Sequence, residues 1–207
     1  MKVNKVKHAL HLSPQQVGGS SCGEGINLLK KVAILRYGHR PARDKRVSTH
    51  TALVARAFGA DGIFFDTTDK ELKVNIEGVV ERFGGPFFVE MGSSWSDIIE
   101  RWQNEGGEII HLTMYGLPLP EVIEGIKQSP KKKLIIVGSE KVPGEIYQMS
   151  EYNVAVTNQP HSEIAALCIF LDRLFEGNAV EGVMQFKGAK LKIIPTARGK
   201  RVTECNS

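Results

Sequence analysis

Short apolar runs recur along this chain, and most are followed by an amphipathic stretch of helical spacing. The runs are "VAILR" (32–36), "GIFF" (62–65), "PFFVEM" (86–91), "EIIHLTM" (108–114), "KLIIVG" (133–138) and "YNVAV" (152–156). They show little alternation of apolar with polar residues, as expected of strands covered on both faces. Between them, "RVSTHTALVARAFGA" places Val47, Leu53, Val54, Ala57 and Phe58 on one helical face, and the stretch after "GIFF" does the same with Leu72, Ile76, Val79, Val80 and Phe83. Trp95, Ile98, Ile99 and Trp102 form a third face. A short helix is expected in "PEVIEGIKQS" and a weak one in "PGEIYQMS". The strongest is expected from about His161 to Phe175, with Ile164, Leu167, Cys168, Leu171, Leu174 and Phe175 as its stripe. Strands alternating with helices in this way predict an α/β fold, a mostly parallel sheet with helices on both faces.

The two ends of the chain read differently. Residues 1–30 lack periodicity and carry Gly-rich stretches around Ser20 and Glu24, which predicts a flexible extension. The α/β pattern fills residues 31–178. The tail, 179–207, is basic, and "AKLKIIPTARGKRVTE" reads as a β-hairpin turning near Thr196–Gly199.

Composition narrows the function classes. At 42% hydrophobic and 24% charged, the chain has the balance of a soluble globular protein, and no run approaches the ~20 apolar residues of a membrane span. The N-terminal lysines precede no apolar segment of the secretory kind. Cys22, Cys168 and Cys205 form no C-x-x-C pair, which argues against a metal or disulfide framework and points to a reducing, cytoplasmic setting. The net charge of +4 is concentrated in clusters. One holds Arg36, His39, Arg40, Arg43, Lys45 and Arg46. A second is Lys131–Lys133, and a third runs from Lys187 through Lys192, Arg198, Lys200 and Arg201. Clustered cations suit a polyanion such as nucleic acid.

In an open α/β sheet, ligands bind outside the carboxyl ends of the strands. That rule brings together two polar loops, Gly138-Ser139-Glu140-Lys141-Val142 and Thr157-Asn158-Gln159-Pro160-His161-Ser162-Glu163, with the segment after "HLTM" beside them. Neither loop is a phosphate cradle, a zincin motif or a nucleophile elbow. Gly138 permits close approach of backbone to a ligand, Asn158 and Gln159 carry donors and acceptors, and Ser162 can cap the next helix. On chemistry alone the second loop is either a ligand wall or an ordinary capped connection.

Longer motifs decide more. "ILRYGHRPARDKRVSTHTALVARAFGADGI", "HLTMYGLPLP", "IIVGSEKVP" and "YNVAVTNQPHSEIAALCIFLDRL" together resemble the archaeal tRNA cytidine 2'-O-methyltransferases of the SPOUT class, over residues 32–204. The resemblance implies methyl transfer from S-adenosyl-L-methionine to the ribose 2'-hydroxyl of a T-loop cytidine in tRNA. It also implies a C-terminal trefoil knot and a homodimer with the active site at the subunit interface, and no metal. Leu112, Gly138–Val142 and Val156–Glu163 would then form the cofactor pocket. Ribose-methylating relatives place an arginine inside the first helix, where this chain has Leu53 followed by Val54-Ala55-Arg56. The implied catalytic arginines are therefore Arg40 and Arg46, with Arg56 read as a surface charge. Arg43, Lys45, Lys192, Arg198 and Lys200, along with Lys131–Lys133, would contact tRNA phosphates. A SPOUT enzyme acting on another RNA, or a non-catalytic RNA-binding protein with the same fold, are the alternatives.

Overall fold

The structure is a computed structural model that describes residues 31–138 and 141–205. Six strands form one sheet: β1 (Val32–Tyr37), β2 (Gly62–Phe65), β3 (Phe88–Met91), β4 (Glu108–Pro118), β5 (Lys133–Gly138) and β6 (Tyr152–Ala155). Their spatial order is β3-β2-β1-β5-β4-β6, and every pairing is parallel. Parallel neighbours need crossovers, which five helices supply, and a sixth follows the last strand of the sheet. These are α1 (Lys45–Ala57), α2 (Lys70–Phe83), α3 (Trp95–Asn104), α4 (Leu119–Gln128), α5 (Gly144–Met149) and α6 (Glu163–Leu174). The expected tail hairpin is present as β7 (Leu191–Ile193) and β8 (Val202–Glu204), antiparallel.

Side chains along a strand point alternately to opposite faces, so the sheet separates two cores. Val32 and Ile34 of β1 face a core shared with α1, α2, α4 and α6, whereas Ala33 and Leu35 face one shared with α3 and α5. Helix starts follow local chemistry. The Asp69 carboxylate accepts from Leu72 N–H at 2.9 Å, and Ser94 Oγ accepts from Asp97 N–H at 3.1 Å, each filling an orphan donor of the first turn.

Two features depart from the sequence reading. The α1 face turned inward is Ser48, Thr51, Ala52, Ala55 and Arg56, while Leu53 and Val54 are half-buried and Ala57 is exposed. Because α1 packs against both α2 and α6, small residues let the helices approach where the larger apolar ones could not fit. Arg56 is no surface charge. Its guanidinium donates to the carbonyls of Phe83 and Gly84, so it caps the end of α2, and it lies 4.3 Å from the Phe186 ring centroid. Burial pushes its pKa below the ordinary arginine value.

Candidate active site

The carboxyl ends of β5, β4 and β6 surround a cavity of about 780 Å³, within the range of small-molecule sites. β4 builds one wall by an irregularity. Its pairing with β6 breaks between Leu112 and Leu117, so Thr113–Gly116 arches away from the ladder. Gly116 is required there, since a Cβ would stand 2.4 Å from the Asn153 backbone. Asn158 Nδ2 fastens the arch by donating to the carbonyls of Met114 (2.8 Å) and Gly116 (3.1 Å).

A polar cluster closes the α5 side. The Asn153 amide donates to Tyr147 O at 2.9 Å, which turns its oxygen toward His111 Nδ1, 2.9 Å away. The His111 and Tyr147 rings meet edge to face at 4.6 Å, and Tyr147 Oη lies 3.1 Å from Thr113 Oγ1. Burial pushes the His111 imidazole below its ordinary value, against the opposing pull of Asn153. A neutral ring with Nδ1 protonated fits this setting.

Glu163 lines the same cavity from the first turn of α6, where Ser162 Oγ accepts from Ile164 N–H at 3.2 Å. Its carboxylate accepts from Arg36 Nη2 at 3.2 Å. Arg36 is wholly buried, and its Nε and Nη1 have no hydrogen-bond partner. Burial lowers its pKa, with Glu163 and Asp44 pulling the other way.

Just beyond Arg36 the basic segment turns back over the sheet edge on a built frame. Gly38 takes a positive φ of 75° and its N–H donates to Asp66 at 2.8 Å. His39 is buried between Ser48 Oγ (2.8 Å) and Asp69 (3.2 Å). Arg40 forks onto Asp44 with contacts of 2.8 and 3.1 Å, an interaction that raises the Arg40 pKa and holds the Asp44 carboxyl below its usual range. Arg43 and Arg46 are exposed.

With this geometry in view, comparison with known proteins is decisive. Residues 83–203 match the family model described as "tRNA ribose 2'-O-methyltransferase, aTrm56". The chain is 53% identical to the tRNA (cytidine(56)-2'-O)-methyltransferase of Pyrococcus horikoshii, over 84% of this chain and 85% of that protein. The chain belongs to the aTrm56 family. The protein of the same description from Thermococcus kodakarensis is 52% identical over 84% of this chain and 98% of its own length. Among solved structures, the Aquifex aeolicus TrmH/SpoU tRNA modifying enzyme matches with a TM-score of 0.55 at 14% identity, covering 74% of this chain and 78% of that one. AviRb from Streptomyces viridochromogenes, solved with AdoMet, gives 0.51 at 12% identity, covering 76% and 60%. At such identities the likeness is one of fold, and that fold is the SpoU/TrmH type of the SPOUT class.

Of the residues implied as cofactor wall, the structure brings Leu112, Gly138, Lys141 and Val142 to the cavity, together with Val156, Pro160, His161 and Glu163. Thr157, Asn158, Gln159 and Ser162 do not line it, and Asn158 and Ser162 instead brace the backbone around it. Ser139 and Glu140 lie outside the described residues, as do residues 1–30 with Cys22. His111, Thr113 and Tyr147 were not assigned to the site: the first two lie in the "HLTMYGLPLP" motif, of which only Leu112 was placed in the pocket, and Tyr147 sits on the short α5, outside every motif.

The basic clusters shrink once folded. Arg36 and His39 leave the surface, and Lys45 pairs with Glu71. Lys133 is buried against Glu108 at 2.8 Å, and Lys132 pairs with Glu105 beneath the Trp102 ring, so Lys131 alone of that triplet is exposed. In the tail, Lys192, Arg198 and Lys200 are all exposed. Cys168 is half-buried, and burial raises its thiol pKa, as befits a small hydrophobe. Among the described residues no cluster of metal-ligating side chains occurs, and no helix is long and apolar enough to cross a membrane.

Proposed function

We infer that this chain is a tRNA (cytidine(56)-2'-O)-methyltransferase, transferring a methyl group from S-adenosyl-L-methionine to the ribose 2'-hydroxyl of a T-loop cytidine. The observation that carries this is family membership at about half identity, with a cavity of the right size at the carboxyl edge of the sheet. The lining suits the cofactor: apolar Leu112, Val142 and Val156 flank it, and Lys141 offers a cation to the methionyl carboxylate. When bound, S-adenosylmethionine supplies an electrophilic methyl whose bond to sulfur breaks, the electron pair staying on sulfur, as the bond to the ribose oxygen forms.

The remaining work falls to this chain's residues. They must hold the hydroxyl in line with the methyl, which is worth several powers of ten in rate, and stabilise negative charge as the hydroxyl proton leaves. Of the two arginines implied for that charge, Arg46 is the better placed chemically. Arg40 is already spent on Asp44, whereas Arg46 is exposed on the first turn of α1, which follows the framed loop in the chain. Arg43, Lys131 and the hairpin cations Lys192, Arg198 and Lys200 would meet phosphates, which position the RNA without reading its sequence.

The sheet order supports a knotted C-terminal part: β4 is inserted between the later strands β5 and β6, and α6 returns to pack on α1. A homodimer through α4 and α6 is supported by the exposed apolar side chains Leu117 and Ile169 beside those helices. Residues 31–178 would then be the catalytic domain and 179–207 an RNA-contacting appendage.

The test is transfer from radiolabelled S-adenosylmethionine to an unmodified tRNA transcript, with nuclease mapping of the label. 2'-O-methylcytidine in the T-loop is expected. Label on a base, or only on another RNA, would overturn the substrate reading. Arg46→Ala should lower kcat about 100-fold or more, the size seen when a group stabilising transition-state charge is removed. Arg40→Ala should act less, through the loop.

A further inference from the structure

The buried Arg36 is a costly arrangement. A guanidinium with two unpartnered nitrogens away from water loses free energy that folding does not recover locally. Its one hydrogen-bonded partner, Glu163, is 127 residues away in sequence and is the single carboxylate among the described residues lining the cavity. Glu163 also marks a particular end of that cavity. Arg36 lies two residues before Gly38, at the root of the basic loop, so the carboxylate stands at the end nearest the loop where RNA would dock. If the cavity holds the cofactor, that end is where the methyl must emerge.

We propose that Glu163, held in place by Arg36, discriminates the charge state at the cofactor's sulfur, favouring the cationic sulfonium of S-adenosylmethionine over the neutral thioether of the demethylated product. This rests on the cavity being the cofactor site. A carboxylate attracts a sulfonium and gains nothing comparable from a thioether, and the α-ammonium common to both ligands cancels in the comparison. Product would thereby be released once its charge is gone, while Arg36 holds the carboxylate in position when no ligand is present. Arg36 is a positioning residue here: it acts through Glu163 and is sealed from the cavity itself, with a side chain 1% exposed against 31% for its partner.

Calorimetric titration of the full chain with S-adenosylmethionine and with S-adenosylhomocysteine provides the test. Because Glu163 is partly solvated, its attraction is screened, and Glu163→Gln should reduce the preference for the sulfonium by about five- to tenfold, chiefly by weakening S-adenosylmethionine. Arg36→Met, which frees the carboxylate, should move the ratio the same way, and Arg36→Lys should restore part of it. Equal weakening of both ligands would mean that Glu163 reads the ammonium. A fall in turnover with the ratio unchanged would mean that it handles the hydroxyl proton. Either outcome overturns the proposal while leaving the cofactor site standing. Failure of the unchanged chain to bind either ligand would instead overturn the cofactor reading. Should Glu163→Gln not fold, the unchanged chain still decides: an analogue with a protonated amine at the methyl position must bind more tightly than S-adenosylhomocysteine, by a margin that narrows with salt. Equal affinity would sink the idea.

Discussion

Two buried ion pairs stand at opposite edges of the central strands, and their surroundings differ. At the amino edge, Lys133 of β5 faces Glu108 of β4 at 2.8 Å, with side chains 0% and 5% exposed. The Lys133 ammonium also donates to the carbonyls of Ser129 and Lys131, and Ser129 Oγ donates to Glu108. At the carboxyl edge, Arg36 has Glu163 and two idle nitrogens. Both pairs carry the same nominal charges. In one, backbone carbonyls meet the lysine, and Glu108 Oε1 has the ammonium as its ionic contact but no hydrogen bond of its own; the other leaves two guanidinium nitrogens with no partner beside a cavity. Buried polar groups are nearly always paired in folded proteins, so the Arg36 pair marks the edge where a ligand is expected.

The sharpest way to test this contrast is to break the Lys133 pair. Lys133→Met leaves Glu108 charged and dry, and should destabilise the fold by about 3–5 kcal/mol, measured by urea unfolding. Pairing it with Glu108→Leu should recover most of that loss, because removing both charges also removes both desolvation costs. Arg36→Met should cost less than about 1 kcal/mol, since water can reach Glu163 and two unpaired donors vanish with the guanidinium. A loss as large as that of Lys133→Met would make the Arg36 pair structural and erase the comparison.

A smaller effect should appear with pH. His111 is buried with its pKa held below the ordinary value, so below about pH 6.5 the unfolded chain takes up a proton that the folded one resists. Stability from this group is therefore complete above pH ~6.5 and declines as pH falls through that value toward the folded pKa. Replacing His111 by Gln should flatten the decline in unfolding midpoints between pH 7 and 5. A slope unchanged by the replacement would place the titration elsewhere. Smallest of all, Lys45→Ala, which breaks an exposed pair with Glu71, should change stability by less than about 0.5 kcal/mol. Reduced tRNA binding with the fold intact would then assign Lys45 to the RNA surface.

Much of the framework could be read directly. The strand runs, the tail hairpin and the helix positions lie where the sequence placed them, because strands buried on both faces and helices buried on one leave a regular imprint, although α6 also buries Ala166 and Phe170, which its expected stripe left out. α3 turns inward Ile98, Ile99 and Trp102 as its spacing predicts. The loop positions followed as well, since the carboxyl edge of a parallel sheet is fixed once the strands are. α1 was misread because weighting the larger apolar residues is misleading where two neighbouring helices demand small ones. Asn158 offered the same donors in sequence whether for a ligand or for the β4 arch.

What the sequence determined by itself is therefore local: which segments extend, which coil, where each begins, and which family's motifs the chain carries. The tertiary structure decided the fate of individual charges. Arg36, Arg56 and Lys133 are no more apolar in sequence than Arg46 or Lys131, yet the first three are buried and the other two exposed. That difference arises because an isolated charge can be buried only where another element brings carbonyls or a carboxylate to meet it. Phe83 and Gly84 reach Arg56 across 27 and 28 residues, Glu163 reaches Arg36 across 127, and no local pattern encodes such meetings.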